Sequence, residues 1–218
     1  MEKELKFDFY GTRTEKLAKS FFGVKRLPSV LVISPISAIF NTIIQELSVS
    51  KPKKAFYKYC EKEINGKKIG FLKNNPGVAS IDAFLLAKKA KSKIIHIGYC
   101  MAAKKEKLGT IVFICSSSFG GRIFASNLST KLLTCHTGKT VKNMLSKYRL
   151  EKKNEVVDME TALLYSIQPK SISIGIVSDT IKKPFFDLQK EDKKLIKKGT
   201  IRAAKLLPKI IKEIEVRE

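Results

Sequence analysis

Cysteine is scarce in this chain and badly spaced for metal chemistry. The four residues, Cys60, Cys100, Cys115 and Cys135, form no Cys-x-x-Cys pair and have no histidines at zinc-finger spacing. Neither a structural metal nor a disulfide framework is indicated, and the four read as reduced, mostly buried thiols. Cys100 and Cys115 sit in or beside apolar runs, where free cysteine packs as a small hydrophobe. Cys135 and His136 are neighbours, but adjacent residues on a strand face opposite ways, so they make a poor thiolate and base pair. Long hydrophobic runs are missing too. The longest, residues 29–44, is broken by Ser34, Pro35, Ser37 and Asn41, and it cannot supply the roughly 20 apolar residues of a membrane span. The opening stretch MEKELKFDFYGTRTEK mixes acids and bases and has no apolar core followed by a small-residue cleavage site. No secretory leader is read there, and a cytoplasmic location is expected.

Acidic residues are outnumbered, 20 against 43 basic ones, which leaves a formal charge of +23 over 218 residues. Such a surplus attracts anionic partners at long range. Arginine is the rare base, however. Only Arg13, Arg26, Arg122, Arg149, Arg202 and Arg217 carry the planar fork on which base-edge and bidentate phosphate recognition lean. The lysines are scattered over 51–54, 88–93, 104–107, 182–183 and 193–198 without interleaved aromatics or a helix-turn-helix pattern. A solvated lysine-rich surface is the expected reading, and nucleic acid is not an expected partner.

What is present is alternation. Short apolar, β-branched runs at Ser29–Ile33, Lys68–Leu72, Lys93–Gly98, Thr110–Cys115, Lys131–Cys135 and Ser171–Val177 predict strands. Between them, Ile36–Leu47, Ser80–Ala90, Val141–Tyr148, Met159–Ser166 and a long segment near Lys190–Ile214 carry apolar residues at helical spacing. Pro208 is expected to kink or divide the last helix. This order predicts an α/β fold: one domain over residues 1–218, with a mixed, mostly parallel central sheet flanked by helices. No internal repeat or low-complexity linker interrupts it.

Two stretches look like chemistry. His136-Thr137-Gly138-Lys139-Thr140 ends like a phosphate-binding loop, but Leu133 stands where that motif needs its first glycine, so an ordinary loop-to-helix passage is expected. Val157-Asp158-Met159-Glu160-Thr161-Ala162 is the second, followed by Ile176-Val177-Ser178-Asp179. Asp158 and Glu160 begin an apolar helix, where carboxylates are favoured by the dipole and can serve simply as caps. Asp179 closes an apolar strand. Ligands of open α/β sheets gather beyond such strand ends, although turns use the same residue type.

These segments resemble the nucleoside phosphorylase superfamily, which includes purine nucleoside and uridine phosphorylases and the methylthioadenosine and adenosylhomocysteine nucleosidases. Val157–Ala162 is similar to the family's V-(E/D)-M-E-x-A segment, and Val177-Ser178-Asp179 to its V-S-D strand end. Lys93–Cys100 falls where the family has a strand ending in R-x-G-(S/T). Leu108-Gly109-Thr110-Ile111-Val112 resembles the following G-D-(I/V)-V, and residues 31–38 fall at G-D-P-x-R-A. The likeness runs over about residues 29 to 210.

The resemblance implies that Glu160 accepts hydrogen bonds from the ribose hydroxyls, that Met159 packs on the sugar, and that Ser178 and Asp179 meet the base. Asp179 would be the catalytic residue, handling the proton that a purine leaving group collects at N7. Cleaving an N-glycosidic bond builds positive charge on the sugar and negative charge on the base, so this pairing of groups suits the transition state. The chain departs from the pattern at the phosphate clamp. Ser37 and His96 stand where the family has arginines, and Tyr99 stands at its small hydroxyl residue. The glycine-rich turn becomes Asn74-Asn75-Pro76-Gly77. No acid lies in Pro35–Ile39, where the nucleosidases carry a catalytic glutamate, and the histidine that phosphorylases lend to a neighbouring subunit has no match. On the residues alone, His96 also reads as an ordinary buried strand histidine.

The resemblance therefore implies cleavage of the N-glycosidic bond of a nucleoside, with a purine as the better fit. Phosphorolysis would require lysines such as Lys53 or Lys54 to replace the arginines; otherwise the reaction is hydrolysis. Inorganic phosphate would be a co-substrate in the first case, and no cofactor or metal is expected. A catalytically silent nucleoside-binding or sensor protein of the same fold is the alternative. A homo-oligomer, whether dimer, trimer or hexamer, is implied by the resemblance.

Overall fold

In this computed structural model residues 14–102, 106–141 and 155–215 are described. The expected helix at Val141–Tyr148 lies almost wholly outside them, as do residues 1–13. Five of the six apolar runs become strands β1 (Val30–Ser34), β4 (Lys67–Lys73), β5 (Lys93–Ala102), β6 (Ile111–Phe119) and β10 (Ser171–Thr180). Short or charge-interrupted segments add β2 (Lys53–Lys54), β3 (Lys58–Ile64), β7 (Arg122–Ala125), β8 (Cys135–Thr140) and β9 (Val156–Asp158). The helices are α1 (Thr14–Phe22), α2 (Ser37–Glu46), α3 (Ile81–Lys89), α4 (Thr161–Ile167) and α5 (Lys190–Glu215).

The expected parallel sheet runs through β4, β1, β5 and β10, and its flanks are antiparallel: β3 on β4, β6 on β10 and β9 on β5. Because β8 joins β6 to β9 in parallel, β5, β10, β6, β8 and β9 close into a ring. Cys100, Ala102, Val112, Ile114, Val156 and Val177 form one buried cluster on these ring strands. Gly175 permits the closure, since a Cβ there would sit 2.6 Å from Cys100 Sγ and 3.1 Å from Val112. One face of the sheet packs on α2 and α5, through Val32, Ile95, Ile97, Ile39, Leu207 and Ile210 among others. The other packs on α1, α3 and α4, through Leu31, Ile33, Phe84 and Leu164.

Five expectations are corrected. The strand expected over Lys131–Cys135 begins only at Cys135, because the polar run Cys135–Thr140 and not the apolar one before it pairs with β6 and β9. Cys115 and Cys135 are not reduced thiols but a disulfide, because their strands β6 and β8 are neighbours and their Cα atoms lie 5.6 Å apart, inside the bonding range. Cys60 and Cys100 are buried and not joined in a disulfide, and burial pushes the Cys60 thiol up to about 12. The segment His136–Thr140 is strand rather than loop. Its Gly138 serves close packing, since a Cβ would lie 2.8 Å from Ile114. Asp158 ends β9, and α4 begins only at Thr161. Pro208 does not divide α5, whose buried stripe Ala203, Ala204, Leu207, Ile210, Ile211 and Ile214 continues across it. Each leucine or isoleucine of this stripe contributes about 1.5–3 kcal/mol on full burial, comparable to the cost of about 3 kcal/mol for an interior proline. Among the described residues no helix is long and apolar enough to cross a membrane.

Candidate active site

The parallel strands β4, β1, β5 and β10 end on the same side of the sheet, where open α/β folds collect ligands. Two carboxylates compete for the helix start that follows β9, and their hydrogen bonds separate them. Asp158 is the cap. Its Oδ2 accepts from the backbone N–H of Thr161 at 2.8 Å and of Glu160 at 3.4 Å, and from the Thr161 hydroxyl, while Oδ1 accepts from the Thr140 hydroxyl at 2.9 Å. Burial raises the Asp158 pKa, and these four donors oppose the rise.

Glu160 is thereby released from capping. It occupies the N-cap position of α4 without a side-chain bond to that helix, and Oε1 accepts instead from the Gly77 N–H at 2.6 Å. Only 4% of the residue is exposed. The Asn74–Gly77 turn thus meets the carboxylate. Met159 lies against the same glycine, its Cε 3.1 Å from where a Gly77 Cβ would stand. Oε2 lies 3.9 Å from the corresponding point over Gly98, with His96 Cε1 at 3.0 Å and Nε2 at 3.5 Å from that point. Met159, Glu160, Gly77, Gly98 and His96 therefore surround one spot.

His96 is fully enclosed, and burial pushes its imidazolium down to about 4. Its Nδ1 lies 3.1 Å from Ser173 Oγ on β10, and the ring stands edge-on to Phe84 at 6.1 Å. Nε2 has no hydrogen-bond partner, and neither amide atom of buried Asn74, just beyond β4, has one. Buried polar side chains are rarely left in this state unless a water, ion or ligand completes them.

Asp179 is 1% exposed and accepts from the Ser178 hydroxyl at 2.6 Å. A bulge at Ser178 sets its direction. Val177 pairs with Cys100, yet Asp179 pairs with Met101 rather than Ala102. Ala102 belongs to the ring cluster, whereas Met101 packs with Val157 and Met159, so the extra residue turns Asp179 out of the cluster and toward Met159.

The three residues at the anion positions are not brought together. Ser37 is exposed on the first turn of α2. Tyr99 packs in the cluster shared with α2 and α5 and hydrogen-bonds Thr200, while His96 lies against Phe84 on the opposite face. Of the described arginines, Arg26 pairs with Glu15, Arg122 is exposed on β7, and Arg202 donates to the Gly109 carbonyl. A cleft of about 510 Å³ lined by Thr110, Leu133, Arg202, Lys205 and Lys209 lies on the α5 face, apart from the carboxylates. The unpartnered Asn74 amide and the Thr161–Ser173 contact were not visible in the sequence; only the Asn-Asn-Pro-Gly turn at the family's glycine-rich position marked the first.

No protein-family model and no curated protein matches the sequence. Solved structures do match the fold. A 5′-methylthioadenosine nucleosidase from Arabidopsis thaliana superposes with a TM-score of 0.74 at 14% identity, over 88% of this chain and 98% of that one. A uridine phosphorylase from Vibrio fischeri gives 0.73 at 15% identity over 94% and 99%. A futalosine hydrolase mutant from Helicobacter pylori gives 0.63 at 10% identity over 86% and 100%. The chain has the nucleoside phosphorylase and nucleosidase fold.

Proposed function

We propose that this chain binds a nucleoside at the Glu160 spot and cleaves its N-glycosidic bond. The observation that carries the reading is the buried Glu160 carboxylate, which leaves helix capping to Asp158 and is held by the Gly77 amide near the ends of the parallel strands. A carboxylate held in this way suits the paired hydroxyls of a ribose and the positive charge that grows on the sugar as the bond breaks. Met159 would cover the sugar, and Ser178 and Asp179 would meet the base. Protonation of a purine leaving group at N7 by Asp179 is a general-acid step of the kind typically worth about 10²–10⁴ in rate.

Hydrolysis is favoured over phosphorolysis, because Ser37, His96 and Tyr99 do not converge and the buried imidazole supplies no permanent charge for a phosphate. The apolar side chains of Ile181, Phe185 and Phe186, exposed just after β10, support the homo-oligomer implied by the resemblance.

Adenosine, inosine, guanosine, uridine and methylthioadenosine are incubated with the protein, with and without phosphate, and free base is followed by chromatography. Release without phosphate is expected, strongest with a purine. Glu160→Ala removes hydrogen bonds to a charged acceptor, at about 1.5–3 kcal/mol each, so kcat/KM should fall by about 10² or more. Asp179→Ala should fall by at least about 10². Nucleoside binding without release from any substrate would instead identify a silent binding protein.

A further inference from the structure

Three hydroxyl-bearing contacts link Asp158 to His96, and an acceptor carboxylate at one end orders their donors. Oδ2 of Asp158 already accepts two backbone N–H groups, which favour it as an unprotonated acceptor. The Thr161 hydroxyl therefore donates to it. With its one hydrogen committed, Thr161 Oγ1 accepts from the Ser173 hydroxyl, 2.7 Å away. Ser173 has then spent its own hydrogen and accepts from His96 Nδ1 at 3.1 Å. The relay fixes the Nδ1–H tautomer, and the lone pair of Nε2 is left facing the spot shared with Glu160 Oε2.

We propose that His96 Nε2 is the base of a hydrolytic reaction, taking a proton from the water that attacks the sugar carbon. This rests on the glycosidic reading above. In the step, the water oxygen bonds to C1′, the C1′–N bond breaks with its electron pair passing to the base, and Asp179 protonates that base. The water's proton moves to Nε2 and returns to Asp179 through solvent after the products leave. No further reactant is needed. Attack on a carbon that already carries oxocarbenium character needs little prior deprotonation, so a neutral imidazole that orients the water and collects its proton late is sufficient. Asp158, Thr161 and Ser173 are positioning residues in this arrangement, and they act through the ring.

Two measurements test the proposal. In wild-type protein labelled with ¹⁵N-histidine, two-bond proton–nitrogen spectra distinguish the tautomers directly, with only His96 and His136 to assign. A protonated Nδ1 and bare Nε2 at His96 are expected, and the reverse would overturn the assignment whether or not any variant folds. In the second, wild type, His96→Asn, His96→Ala and Ser173→Ala are compared for nucleoside binding by calorimetry and for phosphate-independent base release. His96→Asn, whose amide can still donate toward Ser173, should bind nucleoside within about threefold of wild type while kcat falls at least about 10²-fold. Added imidazole should recover part of the rate in His96→Ala, and Ser173→Ala should lower kcat with KM little changed. Full activity in folded His96→Asn, alongside the expected loss in Glu160→Ala, overturns the base and leaves the glycosidic reading standing. A wild type that binds nucleoside but releases no base overturns both.

Discussion

Asp158 and Glu160 stand two residues apart and their carboxylates do unlike work. One gathers four donors and closes a strand-to-helix joint, and the other reaches to the Gly77 amide after β4. The motif singled out Met159 and Glu160, but sequence could not say which acid would cap, since either carboxylate suits a helix start. His96 was legible as a departure from an arginine position. Its tautomer was not, because it depends on hydroxyls at 161 and 173 that only the pairing of β10 with β5 brings alongside the ring. Burial of this imidazole has a pH consequence. Its folded pKa, about 4, lies below the ordinary 6.5, so the unfolded chain binds a proton that the folded chain refuses. The associated stability is complete above about pH 6.5 and is lost as pH falls toward 4, at up to about 1.4 kcal/mol per pH unit. Glu160 also faces the ring and Asp158 ends its relay, so wild type is compared with His96→Asn. Urea midpoints taken between about pH 4.5 and 7.5 should converge toward the acid end; parallel curves would show that His96 is not held neutral by the fold.

Elements built from uninterrupted apolar runs were legible to within a few residues, as in β1, β5 and β10. Those that failed share a cause. In β3, Lys58, Glu61, Lys62 and Glu63 interrupt Tyr59, Cys60 and Ile64, and in β9 three residues are too few to show a period. Such strands exist because their neighbours supply hydrogen-bond partners, and local composition does not record that. The contact of α5 with the turn before β6 is another tertiary effect. Gly109 adopts φ +77°, and a Cβ on Gly199 would clash with the Gly109 carbonyl and lie 2.8 Å from its Cα. Both partners are backbone and cannot swing aside. Gly199→Ala should therefore cost about 1–3 kcal/mol by forcing the helix away from the sheet, visible as a lower denaturation midpoint. An unchanged midpoint would mean that α5 is free to shift at this point.

Over the whole molecule, the fold class followed from the alternation of runs, while ring closure and the disulfide did not, because both depend on β8 lying between β6 and β9. The disulfide links Cys115 to Cys135 across 20 residues of chain. Constraint of a loop near this length in the unfolded state is worth about 3 kcal/mol. Replacing both cysteines by serine should lower stability by about that amount in non-reducing buffer and should abolish the effect of added reductant. Equal melting of the two proteins without reductant would show that the bond adds nothing.

The 2.6 Å bond from the Gly77 amide to Glu160 also makes this one proton a built-in gauge. An N–H that donates so closely to a buried carboxylate resonates far downfield of an ordinary amide and exchanges slowly with solvent. Any molecule whose hydroxyls draw on Oε1 must loosen that bond and move the resonance upfield. Binding at Glu160 can therefore be followed from the protein's own backbone, with an unlabelled ligand and with no turnover at all.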